Sequence, residues 1–96
     1  MELDSFVRFR ARGGEEEAFA EELRTVVTAS RAEAGCVQIE AFRGTRDRRL
    51  FYIHSRWVSE EAFAAHAKLA HTVKFLRRAE ELLEDPVEAV RTERIA

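Results

Sequence analysis

Apolar and polar residues change their spacing along the chain in a way that predicts six elements. Alternation at every second residue is typical of a strand, and apolar residues at i, i+4, i+7 and i+8 are typical of an amphipathic helix. Gly35 is expected to cap the first helix, and Asp85-Pro86 to end the second. The predicted elements are, in order, strand 2–10, helix 15–34, strand 36–43, strand 50–57, a helix from Ser59 to Asp85-Pro86, and strand 87–95.

Two of these elements have faces that the sequence defines in detail. In strand 36–43, Val37, Ile39 and Ala41 alternate onto one face. In the helix that starts at Ser59, one apolar stripe recurs at helical spacing and is expected to face the sheet. The stripe consists of Ala62, Phe63, His66, Ala70, Val73, Leu76, Ala79 and Leu83.

The order βαββαβ predicts a ferredoxin-like α+β fold. Right-handed crossovers place both helices on one face of a four-stranded antiparallel sheet. Strand 50–57 carries Tyr52 on one face and Phe51 and Ile53 on the other, so both faces of the sheet are predicted to be buried. Because no helix covers the second face, we expect it to pack on a second copy of the chain in a homodimer.

Composition and charge narrow the class of protein. The 96 residues show no linker or internal repeat and are interpreted as a single domain, 1–96. The 16 basic and 18 acidic residues are mixed along the chain, which argues against a nucleic-acid-binding protein. The N-terminal residues form no signal peptide or membrane span, and the single cysteine excludes an internal disulfide. We therefore expect a cytoplasmic protein that does not associate with membranes.

All three histidines lie between residues 50 and 75 and are the candidate catalytic groups. His66 sits on the apolar stripe, where a neutral imidazole can accept a proton near neutral pH, although a structural role is the alternative. His71 lies five residues further on, about 140° around one continuous helix, so the pair is not expected to share a metal ion. His54 is a candidate proton acceptor if it points inward. No metal or cofactor motif is present, and none is predicted.

Aromatic residues in the same segment are the candidate substrate-binding groups. Trp57 can stack on an aromatic ring or donate its N–H to a substrate oxygen, and the alternative is a core residue that seals the junction between strand and helix. Phe63 and Phe75 are expected to line the same pocket. Tyr52 is a candidate for binding a substrate oxygen, and the alternative is a role at the surface or in a dimer interface. A pocket filled by phenylalanine side chains would instead favour a structural module.

Three segments of the chain resemble the antibiotic biosynthesis monooxygenase superfamily of dimeric α+β barrels. They are the run from Gly13 to Phe19 at the start of the first helix, the Gly35-Cys36 pair, and the run from Trp57 to His66 followed by His71 and Phe75. The resemblance implies a dimer with one pocket per protomer between sheet and helices. It further implies a cofactor-independent oxygenase that acts on a small phenolic or quinol-type aromatic substrate.

Two departures from the superfamily pattern change what is expected. Members often carry a glutamate two positions before the tryptophan, where this chain has Ser55, and His54 beside it is a candidate replacement. The haem-degrading branch uses an asparagine, and this chain contains none, so haem degradation is not expected. Two alternatives stay open: a non-catalytic dimeric module that binds a small ligand, and an isomerase or lyase that acts on a small carbonyl metabolite with one positioned base.

Overall fold

Four strands and three helices make up the fold in the computed structural model, which describes residues 1–96. The strands form one antiparallel sheet in the order β2-β3-β1-β4, so the predicted ferredoxin-like fold is confirmed. No helix is long and apolar enough to cross a lipid bilayer. The elements are β1 (Leu3–Arg10), α1 (Glu16–Ser30), β2 (Cys36–Arg43), β3 (Leu50–Trp57), α2 (Glu60–Ala67), α3 (Ala70–Leu82) and β4 (Glu88–Thr92).

The core lies between the sheet and the helices and is built around four phenylalanine rings. The Phe19 ring of α1 lies 5.1 Å from Phe9 of β1 and 5.2 Å from Phe51 of β3. Phe75 of α3 closes the cluster, with its ring centroid 5.8 Å from that of Phe9. Such tilted and edge-to-face pairs add about 0.5–1.5 kcal/mol each to the burial of their apolar surface. These contacts fix α1 and α3 against the same face of the sheet.

The second predicted helix is two helices, which corrects the sequence-based expectation. The chain leaves the helix at Lys68 and Leu69, and Leu69 has extended backbone angles (φ −70°, ψ 150°). The two halves pack on different surfaces: His66 of α2 lies against Trp57, whereas α3 packs on α1. Neither glycine nor proline marks the break, so it reflects tertiary packing and not local propensity.

The break also changes which side chains of α3 are buried. Thr72, Phe75, Ala79 and Leu82 face the core. Val73 and Leu76 of the predicted stripe do not, and Leu76 is exposed. Because α3 is a separate helix, its orientation about its own axis is not set by α2. A stripe counted continuously from Ala62 therefore does not identify the buried face of α3.

The end of α1, the alternation of side chains in β2 and the length of β4 differ from the sequence-based expectation. Helix α1 ends at Ser30 and not at residue 34, so Gly35 is not its cap. A β-bulge between Cys36 and Gln38 removes Val37 from the alternation. Val37 and Ala41 are exposed, which leaves only Ile39 of the predicted face in the core. Strand β4 spans only five residues, Glu88–Thr92, instead of 87–95.

The face of the sheet opposite the helices is uncovered in the single chain. On this face Phe6 pairs with His54, Arg8 with Tyr52, and Asp4 with Arg56 in the β1–β3 register. Four of its side chains are large, apolar and exposed: Phe6, Phe42, Tyr52 and Val90. We refer to this surface as the open face.

Candidate functional site

A cavity of about 220 Å³ lies between the sheet and the helices and is mostly apolar, since 11 of its 15 lining residues are hydrophobic. Phe63 and His66 of α2 line it, together with Thr72 and Phe75 of α3. Small, mostly apolar cavities with a few polar groups are typical of ligand sites. A wider depression near Met1 is lined mainly by charged and polar residues and is open to solvent. The apolar cavity is therefore the candidate site.

His66, which lines this cavity, and His71, which does not, share one carboxylate oxygen. His66 Nδ1 donates to Glu33 Oε2 at 2.9 Å, and His71 Nε2 donates to the same atom at 2.7 Å. Thr72 Oγ1 lies 3.4 Å from His66 Nδ1. We call Glu33, His66 and His71 the carboxylate–histidine cluster. Its three members come from three separate parts of the chain.

The break between α2 and α3 brings the two histidines together. On one continuous helix they would lie about 140° apart, and the expectation that they do not share a metal ion assumed that geometry. His66 lies on α2 and His71 in the first turn of α3, so each ring approaches Glu33 from a different helix. The assumption of one continuous helix is wrong, because the two histidines belong to different helices.

Glu33 was not identified from the sequence, although it is the central residue of the cluster. It lies in the turn between α1 and β2, in a segment that the helical period had assigned to helix 15–34. The superfamily pattern predicts a carboxylate at position 55, where this chain has a serine. Glu33 supplies a carboxylate from another element. No local signal distinguishes it from the other acidic residues near α1.

The hydrogen bond to Glu33 determines which nitrogen of His66 can accept a proton. An ionised carboxylate only accepts hydrogen bonds, so Nδ1 of His66 carries the hydrogen. In the neutral imidazole, Nε2 is then the acceptor. The same carboxylate stabilises the imidazolium that forms when Nε2 takes up a proton. A carboxylate that orients a histidine in this way is a recurring arrangement for general-base catalysis.

Trp57 packs behind the side chains that line the cavity, and its N–H is not free to bind a ligand. It is fully buried, and its Nε1 donates to Ser55 Oγ at 2.9 Å. Its ring centroid lies 4.4 Å from that of His66 and 5.8 Å from that of Phe63. The expectation that its N–H could orient a substrate oxygen is therefore not met. Trp57 instead packs against two of the side chains that line the cavity.

Phe63 and Phe75 line the cavity as expected, and they differ in exposure. Phe75 belongs to the core cluster and is almost fully buried. Phe63 is partly exposed, and the Arg91 guanidinium lies 5.2 Å from the centroid of its ring. Phe63 therefore lies closer to solvent, where a ligand would enter.

A buried serine hydroxyl is a further polar group of the cavity. Ser30, the last residue of α1, lines the cavity, and its Oγ is buried without a hydrogen-bond partner. A buried, unpaired hydroxyl costs roughly 1–3 kcal/mol. Because this oxygen is closed off from the cavity as well as from solvent, a ligand reaches it only when neighbouring side chains move. The sequence contained no signal for this residue, because serine at a helix end is common.

His54 and Tyr52 lie on the open face, on the opposite side of the sheet from the cavity. His54 Nε2 donates to Asp4 Oδ1 at 2.9 Å, and the ring stacks on Phe6. This hydrogen bond, more than the one from Arg56, lowers the pKa of Asp4 below its ordinary value. His54 was a candidate proton acceptor for the cavity only if it points inward. This condition is not met, because strand alternation places His54 with Tyr52 on the open face.

Cys36 lies near Glu33 and is not an activated thiol. Burial, and to a lesser extent the negative charge of Glu33, raise the pKa of Cys36 above its ordinary value. The thiolate is the nucleophilic form, so a raised pKa keeps the sulfur unreactive near neutral pH.

The fold and the site define a class: small ferredoxin-like α+β proteins with an apolar cavity beside a carboxylate-oriented histidine. The chain belongs to the antibiotic biosynthesis monooxygenase family, whose sequence profile matches residues 6–78. The matched segment includes every member of the carboxylate–histidine cluster. At the level of the family, the match supports a monooxygenase function.

Individual relatives agree with this assignment. The Bacillus subtilis (strain 168) protein "Putative monooxygenase YcnE" is 32% identical over 91 residues, which cover 95% of this chain and 94% of that protein. The crystal structure of PA3566 from Pseudomonas aeruginosa superposes with a TM-score of 0.92 at 35% identity, covering 99% of this chain and 95% of that one. Rv0793 from Mycobacterium tuberculosis shares the fold, with a TM-score of 0.93 at 23% identity and 100% and 97% coverage.

Proposed function

We propose that this chain is a cofactor-independent monooxygenase that oxidises a small phenolic or quinol-type aromatic compound in the cavity between sheet and helices. The observation that carries the proposal is the bond from His66 Nδ1 to Glu33, at the edge of an apolar cavity that His66 itself lines. This bond leaves Nε2 as the proton acceptor next to a space suited to an aromatic ring.

The size and lining of the cavity favour a small aromatic ligand. Its volume of about 220 Å³ is below the range of about 300–1,000 Å³ for drug-sized ligands. A dry apolar cavity of about 150 Å³ is sufficient for benzene. The side chains of Phe63 and Phe75 provide aromatic contacts.

In the proposed reaction, His66 Nε2 accepts the proton of a phenolic hydroxyl, and the resulting anion is a better electron donor to oxygen. One oxygen atom is inserted into a ring C–H bond. The other oxygen leaves as water with the two phenolic hydrogens of a quinol. The ring becomes a hydroxyquinone and supplies all four electrons, so no external reductant is needed. Glu33 stabilises the imidazolium on His66, and His71 positions Glu33.

The experiment measures oxygen consumption by metal-free protein with a panel of mono- and dihydroxyaromatic compounds. We expect one O₂ consumed per substrate and one labelled atom from ¹⁸O₂ in the product. His66→Gln should reduce kcat by about 10²–10⁴, the range of general-base catalysis. Glu33→Gln should reduce it less, since it affects the base only indirectly. His54→Gln is the matched control and should leave turnover unchanged, because His54 lies on the opposite face.

Two results would contradict the proposal. The first is an absence of oxygen consumption with every compound in the panel. If ligands nevertheless quench the fluorescence of Trp57, the non-catalytic ligand-binding module is the better reading. The second is turnover that survives His66→Gln but is lost in His54→Gln, which would place the reaction on the open face.

We also propose that the open face packs on a second copy of this chain. Large apolar side chains at its centre are flanked by charges of both signs, among them Asp4, Arg56 and Glu40. In a two-fold symmetric dimer the same surface of each copy faces the other copy. Acidic side chains of one copy can then lie opposite basic side chains of its partner. Exposed apolar patches rimmed by polar groups are typical of such interfaces.

A further inference from the structure

We propose that Glu33, His66 and His71 form a binding site for a divalent first-row transition metal ion, with Zn²⁺ as its representative. One carboxylate oxygen and two imidazole nitrogens face one another, and all three donor atoms lie within 4.8 Å of one another. Two histidines and one carboxylate form a donor set that suits zinc and the neighbouring transition metals. The binding itself does not rest on the proposed oxygenase function.

Two of the three distances within the cluster are close to those between ligands of one ion. With metal–ligand bonds of about 2.0–2.2 Å, neighbouring ligand atoms lie about 2.9–3.4 Å apart, depending on the coordination geometry. Glu33 Oε2 lies 2.9 Å from His66 Nδ1 and 2.7 Å from His71 Nε2. The two imidazole nitrogens lie within 4.8 Å of each other, so binding of an ion requires at most that the two rings move closer together. Its other positions remain for water or for Thr72 Oγ1, which lies 3.4 Å from His66 Nδ1.

The burial of the cluster favours binding and still permits access. The side chains of Glu33 and His66 are 12% and 13% exposed, and that of His71 is 30% exposed. The shielded carboxylate attracts a cation more strongly than a surface carboxylate does. The partly exposed side of the cluster at His71 allows an ion to enter from solvent. The three ligands already contact one another through hydrogen bonds in the absence of an ion, so little ordering is needed when the ion binds.

Metal binding and proton acceptance by His66 exclude each other. An ion bound to Nδ1 displaces the hydrogen that Glu33 now accepts, and in the neutral ring that hydrogen moves to Nε2. His66 then presents a donor to the cavity instead of an acceptor. This consequence rests on the proposed function: if the chain is such an oxygenase, Zn²⁺ inhibits it by occupying this cluster.

The experiment titrates chelator-treated protein with ZnCl₂ and measures heat by calorimetry, without substrate. We expect one ion per chain. Loss of outer-shell partners alone weakens metal binding about 10–100-fold, so Glu33→Gln and His71→Gln, which remove ligands, should weaken it by about 100-fold or more. His54→Gln and Cys36→Ser are the matched controls and should bind like the parent. His54 has its own carboxylate partner, and Cys36 lies near Glu33.

The outcomes separate this proposal from the proposed function. Circular dichroism confirms folding, and if Glu33→Gln fails to fold, the more exposed His71 decides the question. Unchanged affinity in His71→Gln, no binding by the parent, or loss of binding in either control overturns the metal site. In zinc-soaked crystals, an anomalous peak between the three side chains supports it, and a peak elsewhere overturns it. None of these results depends on oxygen consumption, so either proposal can fail alone.

Discussion

A single hydrogen in place of a methyl group at residue 35 sets how closely α2 approaches the start of β2. A Cβ built on Gly35 would lie 2.5 Å from the Cβ of Ala62, a distance that real side chains do not adopt. Val58 N also donates to Gly35 O at 3.0 Å, which ties the chain before α2 to the same point. Glu33 lies two residues before this glycine and His66 one turn after Ala62. The close contact therefore helps to set the distance between them.

Gly35→Ala should destabilise the protein by about 1–3 kcal/mol, because overpacking at a rigid helix backbone forces α2 away. Urea unfolding monitored by circular dichroism measures the change. Gly13→Ala is the matched control: its added Cβ would meet only the end of the Arg49 side chain, at 4.0 Å. That variant should change the free energy of unfolding by less than about 1 kcal/mol.

A double-mutant cycle with Ala62→Gly tests whether the contact with α2 is the cause. Alone, Ala62→Gly should cost about 1 kcal/mol as a glycine in a helix. In the Gly35→Ala background it should cost less or even stabilise, because it removes the atom that clashes. Strictly additive free energies would show that the strain at Gly35 has another origin.

The elements that carry the histidines are short helices whose stability depends on their ends. Helix α2 has eight residues, fewer than an isolated helix needs to be stable in water. Ser59 Oγ accepts a hydrogen bond from Ala62 N at 3.1 Å, and Glu60 and Glu61 occupy the first turn. Acidic side chains there interact favourably with the partial positive charge of the helix N-terminus. The N-cap therefore stabilises the helix that presents His66.

Ser59→Ala should lower the free energy of unfolding by about 1 kcal/mol, because the N-terminal N–H groups of α2 lose their partner. Hydrogen exchange should become faster in α2 and stay unchanged in α1. Ser59→Asn retains a side-chain acceptor at the cap and serves as the control. Equal exchange in the alanine and asparagine variants would show that contacts with Trp57, and not the cap, hold α2 in place.

At the scale of the whole molecule, the sheet separates two surfaces with different roles. One face holds the core, the cavity and the carboxylate–histidine cluster. The open face carries Phe6, Phe42, Tyr52 and Val90, with the Asp4–His54 hydrogen bond between β1 and β3. His54 and Tyr52 thus belong with the proposed contact between two copies. The histidines therefore divide between two surfaces.

Phe42→Lys should convert a dimer of this chain into a monomer, because it places a charge in the proposed apolar interface. Sedimentation velocity on the parent and the variant measures the change. Val58→Lys is the matched control, since Val58 is 51% exposed and Phe42 is 52% exposed, but Val58 lies beside Gly35 together with Ala62 of α2. A parent that sediments as a monomer, or an equal effect of both variants, contradicts the proposed interface.

The spacing of apolar residues predicted the elements correctly wherever buried residues recur regularly along one strand or helix. The βαββαβ order, the four-stranded sheet and the positions of Phe63, His66 and Phe75 at the cavity followed from local spacing and the superfamily resemblance. It failed at Leu69, where the chain breaks a helix without glycine or proline, and at Val37, where a bulge shifts the alternation. In both places packing between elements overrides a pattern that is local in origin.

The amino-acid sequence by itself determined the fold class, the family, and the segment that holds the tryptophan and the histidines, because alternation and helical period are local properties of the chain. Only the tertiary structure decided which carboxylate the histidines contact and which of them face the cavity. Glu33 lies 33 residues from His66 and 38 from His71 along the chain. No local spacing encodes a contact over such separations, which depends on how the α1–β2 turn and two independently packed helices come together.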